Sequence, residues 1–281
     1  MKLVRHGPRG QEKPGLVAVD GTLRDLSGHV PDIDGALLAG GMAAIRALDP
    51  LSLPLVPAGT RLAEPVARVG KFVCIGLNYS DHAAEAGMPI PVEPILFMKA
   101  TSAIIGPNDR VLLPPGSTKS DWEVELGVVI GQEARYVPLE RALDHVAGYC
   151  VVNDLSERSY QLERGGQWDK GKGCDTFGPF GPWLVTPDDI ADVGALGLWL
   201  DVNGRRMQTG STASMVFGIP YLIHYVSQFM SLQPGDIIST GTPPGVGMGM
   251  TPPRFLKDGD VVTLGIDGLG VQRQEIGRTR L

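Results

Sequence analysis

From Phe72 onward the chain is a succession of short apolar runs: "FVCIGLN", "PILFMK", "VELGVVIG", "GYCVVND", "GPWLVT", "GLWLDVNG", "GDIISTG", "DVVTLGI" and "VQRQEIG". Runs this short, rich in β-branched and aromatic residues and bounded by turn formers, read as strands. Few helical stretches interrupt them, the clearest at 138–146, 155–164 and 212–230. The 38 Gly and 23 Pro are dispersed through the 281 residues, so they mark turns between short strands and not a disordered segment. Many strands with few helices favour a β-rich α+β or barrel-like domain over a doubly wound sheet.

Residues 1–65 read as a small N-terminal α+β unit and 66–281 as the main domain. "LVRHG" and "GLVAVDGTLRDLS" have strand character, the second bent at Asp20-Gly21, a favoured hairpin turn. "DIDGALLAGGMAAIRAL" reads as a helix weakened by its Gly pair, and the proline-rich stretch 48–70 as an extended bridge. The formal charge of −6 argues against a nucleic-acid partner. No apolar run reaches membrane-spanning length, and the start "MKLVRHGPRGQEKPG" lacks the apolar core of a secretory signal. Cys74, Cys150 and Cys174 share no CxxC spacing and fit free thiols in a reducing cytoplasm, which is the expected location.

Against this background "SDWEVELGVV" (120–129) is unusual, because it sets Glu123 and Glu125 one residue apart in a β-prone run. Alternate side chains of a strand share a face, and a rise of about 3.3 Å per residue puts these two about 7 Å apart at Cα. Their mutual repulsion is relieved by a shared divalent cation or by solvent on an exposed face. Asp154 ends the run "GYCVVND" and offers a third carboxylate, or else a cap for the helix expected after it. An oxygen-only donor set without clustered Cys or His suits Mg²⁺, Mn²⁺ or Ca²⁺ better than zinc. In "NYSDHAAEAGMP", His82 and Glu85 stand i and i+3 on a short helix; they form either a general base oriented by a carboxylate or a surface pair. "QWDKGKGCDTFGPFGPW" supplies Lys170 and Lys172 from a Gly-rich stretch that lacks the phosphate-loop pattern. Arg158 and Gln161 share a helix face just after Asp154.

Taken in order, "GLNYSDHAAEAG", "PILFMK", "DWEVELGVVIG", "GYCVVNDLSERSYQ", "GKGCDTFGPFGPW", "VNGRRMQ", "GDIISTGTPPGVG", "FLKDGDVV" and "GLG" resemble the fumarylacetoacetate hydrolase family over about residues 70–277. The resemblance implies a mixed-strand β-roll or barrel core, a homodimer or dimer-based oligomer, and a bound Mg²⁺ or Mn²⁺. By that matching Glu123, Glu125 and Asp154 are the metal carboxylates. His82 and Glu85 are a water-activating pair on a lid segment, and Lys172 is the catalytic lysine. Arg158, Gln161, Gly241, Thr242 and Lys99 fall on the substrate side. Three positions depart from the family pattern: Glu157 where Ala is usual, Ser159 where Asp is usual, and Gly173 where Ser is common.

The activity implied is hydrolysis of a 2,4-diketo acid (an acylpyruvate) at C3–C4, giving pyruvate and a second acid. The N-terminal "MKLVRHGPRGQEKPGLVAVDG" resembles a bacterial branch that hydrolyses 2,4-diketo-3-deoxy-L-rhamnonate or -fuconate. Oxaloacetate decarboxylation and isomerisation or hydrolysis of aromatic ring-cleavage products are the enzymatic alternatives. A metal-stabilised scaffold without activity is the alternative outside catalysis. His82, Glu85 and Lys172 together speak against it, because a scaffold needs none of them.

Overall fold

The structure is a computed structural model and describes residues 1–85 and 89–279, with the backbone alone for 82–84. The chain opens with β1 (Lys2–His6), β2 (Lys13–Val17) and β3 (Leu23–Asp25), then a π-type turn (Leu37–Gly41) running into α1 (Met42–Arg46), and β4 (Leu62–Ala63). The Gly40–Gly41 pair lies in that wider turn, where the helix expected from sequence is loosest. There follow β5 (Phe72–Gly76), α2 (Ser80–Glu85), β6 (Ile95–Lys99), β7 (Ile104–Ile105), β8 (Val111–Leu113), β9 (Ser120–Asp121) and β10 (Val124–Ile130). Next come β11 (Val146–Asn153), β12 (Ser156–Glu157), α3 (Arg158–Leu162), α4 (Asp169–Lys172), β13 (Gly178–Val185), β14 (Gly197–Val202) and β15 (Arg205–Ser211). The chain ends with α5 (Ile219–Ser227), β16 (Ile237–Ser239), β17 (Val261–Ile266) and β18 (Gly270–Arg278). This is the β-rich α+β architecture expected.

The described strands form an eleven-stranded mixed sheet, ordered β3-β2-β1-β13-β11-β10-β16-β5-β6 with β4 and β7 attached at β1 and β13, a five-stranded sheet, β15-β14-β17-β18-β8, and the two-stranded pair β9-β12. β1 joins the N-terminal strands to the large sheet by pairing antiparallel with β13. The central strand β10 is buried along its whole length, which explains its unbroken apolar sequence. Val124, Leu126, Val128 and Ile130 turn to one core with Leu198, Leu200, Val262 and Leu264 of the smaller sheet. Val129 turns the other way, with Cys150, Val152 and Ile237, onto Ile33, Leu37 and Ile45 from the N-terminal part. Glu123 and Glu125 share the parity of Val129, at the end of the strand where that second face opens.

Three local expectations change. The helix expected at 155–164 is only Arg158–Leu162, because Ser156 and Glu157 pair with Asp121 and Ser120 first. The one expected at 212–230 begins at Ile219, after Gly218 and with Pro220 in its first turn. "RRMQTGS" is a strand without an apolar run; it lies at the edge of the smaller sheet, where one flank meets solvent and polar residues are tolerated.

Candidate active site

Strand register brings the carboxylates together. Val124 pairs with Asn153 across β10 and β11, so the next step out sets Glu123 opposite Asp154, and Asp154 N donates to Glu123 O at 2.9 Å. Glu125 is one pleat further in. One oxygen from each of Glu123, Glu125 and Asp154 lies within 4.8 Å of the others, and all three side chains are buried. Cation–oxygen bonds of about 2.1 Å put opposed oxygens about 4.2 Å apart, so the cluster has close to the span a small divalent ion requires.

The cations around the cluster are ordered. Lys172 Nζ, carried by α4, sits 2.6 Å from both Glu123 Oε2 and Asp154 Oδ2. Lys99 Nζ, at the end of β6, donates to Asp154 Oδ1 at 2.5 Å and to Leu155 O at 3.0 Å. Arg158 donates to Glu123 Oε1 (2.6 Å), Asp121 Oδ2 (2.9 Å) and Gln161 Oε1 (3.0 Å). Glu125 accepts from Ser239 Oγ at 2.5 Å and Gly241 N at 3.0 Å and has no ion pair among the described residues. Among the described residues four buried carboxylates, counting Asp121, thus face three cationic side chains, and Glu125 is the one without an ion pair there. Burial first, then the charges of Asp154 and Glu123, push the Glu125 carboxyl well above the usual carboxylate range. Burial alone would depress the Lys172 ammonium; Asp154 and Glu123 outweigh it and hold its pKa above the ordinary lysine value, so Lys172 is a fixed positive charge at neutral pH. Hard oxygen donors crowded beyond their local neutralisation fit Mg²⁺ or Mn²⁺, which Glu123, Glu125 and Asp154 would hold, and the Lys172 ammonium already pairs with two of these three carboxylates.

This arrangement carries a pH prediction. Glu125 has a raised folded-state pKa, so its contribution to stability is full below the ordinary carboxylate value and is lost as pH rises through the folded one. A divalent ion favours the ionised form and competes with that proton. The rise in Tm produced by Mg²⁺ or Mn²⁺ is therefore expected to be larger at pH 8 than at pH 5.5; an equal or smaller rise at pH 8 contradicts ligation through Glu125.

A cavity of about 510 Å³ opens above the cluster, lined by Glu85, Glu123, Glu125, Arg158, Gln161, Lys172 and Thr242 among others. Lys99 and Gly241, two of the expected substrate contacts, stand behind its wall. Lys99 is buried under Asp154, and the Gly241 amide serves Glu125. Thr242 lies on the wall, its hydroxyl donating to Val124 O at 2.8 Å and accepting from Gln208 Nε2 at 2.8 Å. His82 belongs to α2, but its side chain lies outside the described residues. The Glu85 carboxylate accepts from Gly245 N at 2.9 Å and packs on Gly249, where an added Cβ would come within 2.7 Å of Glu85 Cδ. Glu85 is a flexible side chain and can yield. Gly249→Ala is therefore expected to change Tm little yet lower kcat at least tenfold by moving this carboxylate; a kcat within twofold of wild type removes Glu85 from the chemistry. A larger cavity, about 900 Å³, adjoins at Met250 and Thr251 and holds no comparable carboxylate cluster.

One residue of the site, Asp121, has no role in the sequence reading, and another, Glu157, stands there only as a departure from the family pattern. Asp121 continues the alternation of Glu123 and Glu125; it holds Arg158 Nε and accepts from Gly247 N (2.7 Å) and Met248 N (3.0 Å), tying the 245–251 loop to the site. Glu157, and not Asp154, caps α3, accepting from Ser159 N at 3.3 Å. Its buried carboxylate also takes the hydroxyls of Ser117, Ser120 and Ser159. The departures at 157 and 159 are thus one interaction, with the acid on one residue and the hydroxyl on the other.

Residues 71–277 match the family model described as fumarylacetoacetate (FAA) hydrolase C-terminal. The chain belongs to the fumarylacetoacetate hydrolase family. The fumarylacetoacetate hydrolase match begins one residue before β5 and ends inside β18, so it contains every residue of this site. A Burkholderia multivorans protein, named only provisionally as a hydrolase, is 63% identical over 276 residues, 98% of each chain. The fold is also that of a fumarylacetoacetate hydrolase from Exiguobacterium antarcticum, with TM-score 0.86 and 33% identity over 99% of this chain and 100% of that one. A maleylpyruvate hydrolase from Sphingobium sp. SYK-6, solved with manganese(II) and pyruvate, superposes with TM-score 0.84 and 31% identity over the full length of both chains.

Proposed function

We propose that the protein hydrolyses 2,4-diketo acids at C3–C4, using a Mg²⁺ or Mn²⁺ ion held by Glu123, Glu125 and Asp154. The observation that carries this reading is the buried carboxylate trio beneath a cavity whose wall also presents Lys172, Arg158 and Glu85. The Sphingobium relative supports it, because that enzyme's structure contains manganese(II) and pyruvate. Bound there, the ion supplies Lewis acidity toward an oxygen-rich acid.

The chain's own groups supply the rest. Arg158 and Gln161 lie together on the wall and bind the acid end of the substrate. Glu85, with His82, takes the proton from the attacking water. The water oxygen bonds to C4, the C3–C4 bond breaks, and its electron pair stays on the three-carbon fragment as an enolate. Lys172 places a permanent positive charge where that negative charge develops. Protonation at C3 then gives pyruvate, and C4 leaves as the carboxyl carbon of the second product. No GxSxG nucleophile elbow occurs in the sequence, and none is required.

The test is pyruvate release by the purified protein from a set of acylpyruvates and from oxaloacetate, with and without added Mg²⁺ or Mn²⁺. Ion-dependent turnover of acylpyruvates above that of oxaloacetate supports the reading. Turnover of oxaloacetate alone assigns a decarboxylase, and none with either class returns the protein to a binding role.

A further inference from the structure

Resting on the acylpyruvate hydrolase reading, we infer that the acyl group of the substrate is apolar and uncharged: an alkyl or arylalkyl chain, and not a polyol or a second carboxylate. The charged lining of the cavity is concentrated around the carboxylate cluster. Phe97 lies under the Lys172 ammonium, and away from the cluster the wall is built from Leu77, Leu162, Trp168, Met248 and Met250, with the exposed Thr251 at its edge. Among the described lining residues both cations are engaged, Arg158 with Asp121 and Glu123, Lys172 with Glu123 and Asp154. Both lie at the carboxylate cluster, where the acid end binds, so a distal carboxylate would find no further positive partner among the described residues of this wall.

The neutral polar side chains lie at the charged end or at the exposed edge, Thr242 and Gln161 beside the cluster and Thr251 next to Met250. The Thr242 hydroxyl both donates to Val124 O and accepts from Gln208, and the Gln161 carbonyl accepts from Arg158. Tail hydroxyls pressed against leucine, tryptophan and methionine would lose water without replacement partners. The polyhydroxylated tail implied by the N-terminal resemblance is poorly matched to such a wall.

Leu77 adds an independent observation. Its backbone is in the left-handed region (φ 53°), which suits Gly or Asn and is uncommon for a branched apolar residue. The strain is held by its neighbour: Asn78 Nδ2 donates to Thr240 O at 2.8 Å and Phe217 O at 3.1 Å, and Asn78 Oδ1 accepts from Phe217 N at 2.9 Å. The fold itself is better served by Gly or Asn at position 77, whereas an apolar ligand wall is served by Leu. Met248 and Met250 contribute adaptable, polarisable surface, suited to a chain of variable length.

The experiment compares kcat/KM, by pyruvate release in Mg²⁺ or Mn²⁺, for acetylpyruvate and three longer 2,4-diketo acids of matched length. These carry an alkyl tail, a 5,6-dihydroxy tail and a terminal carboxylate. Burial of each added methylene is expected to raise kcat/KM by about fourfold, and the alkyl acid is expected to exceed its dihydroxy and dicarboxylate counterparts at least thirtyfold. Leu77→Asn keeps a residue that tolerates the left-handed backbone; it is expected to lower the alkyl-to-dihydroxy ratio at least fivefold on one enzyme preparation. If that variant does not fold, Leu162→Asn at the exposed rim (45% exposed) tests the same ratio. A dihydroxy or dicarboxylate substrate turned over as well as the alkyl one overturns the inference and leaves the hydrolase reading standing. An unchanged ratio in the folded variant also overturns it. No pyruvate from any of the four overturns both.

Discussion

Glu125→Gln is expected to abolish turnover, by a factor of about 10³ or more, while leaving the ion-free protein as stable as wild type or more so. The separation follows from the position of Glu125. It lies in the fully buried strand β10, has no ion pair among the described residues, and is crowded by Asp154 and Glu123. The amide is isosteric, and its carbonyl can still accept from Ser239 Oγ and Gly241 N. Removing the charge therefore relieves repulsion and leaves the Ser239 and Gly241 donors paired. The loss of activity reflects the ion, since Lewis-acid stabilisation is worth several kcal/mol of transition-state energy. Thermal melts beside pyruvate-release assays check both halves. A stable variant with near-wild-type turnover at limiting Mg²⁺ contradicts ligation by Glu125.

Lys172→Met is expected to lose about 10² to 10³ in kcat and still bind Mn²⁺ at least as tightly as wild type. The ammonium lies 2.6 Å from oxygens of both Glu123 and Asp154, two of the three carboxylates that would hold a divalent ion. Removing it eliminates a competitor for the ion and, with it, the positive charge assigned to the developing enolate. Without metal the variant loses one cation from a cluster in which Glu123 keeps Arg158 and Asp154 keeps Lys99, and taking a partner from buried charges costs up to about 3–5 kcal/mol. Its Tm is therefore expected to fall without divalent ion and to recover on adding Mn²⁺ by more than wild type gains. Weaker Mn²⁺ binding in this variant, or a Tm that Mn²⁺ does not restore, would show Lys172 to be a structural support for the site and not a rival for its carboxylates.

The parts of this molecule legible in its sequence are those written in local pattern. Strands buried on both faces, such as β10 and β11, leave continuous apolar runs, and two carboxylates at period two inside such a run are conspicuous. Asp154 was ambiguous because a strand-terminal acid before a helix also suits a cap; the structure gives the cap to Glu157. β15 was missed because an edge strand needs no apolar run. Asp121 was missed because its partners, Arg158 and the amides of Gly247 and Met248, lie 37, 126 and 127 residues away. The apolar cavity wall was invisible for the same reason. Leu77, Leu162, Trp168 and Met248 are each unremarkable in their own segments, and only the closing of β5, α3, α4 and the 245–251 loop around one space makes them a surface.

The most direct test of the central claim is a Mn²⁺ titration followed by electron paramagnetic resonance on wild-type protein and on Glu125→Gln. One bound Mn²⁺ per chain in the wild type, lost in the variant and matched by the concentration dependence of pyruvate release, is the expected result. Saturable binding that persists unchanged in Glu125→Gln, or turnover that proceeds in full with no Mn²⁺ or Mg²⁺ bound, would contradict a catalytic ion held by Glu123, Glu125 and Asp154.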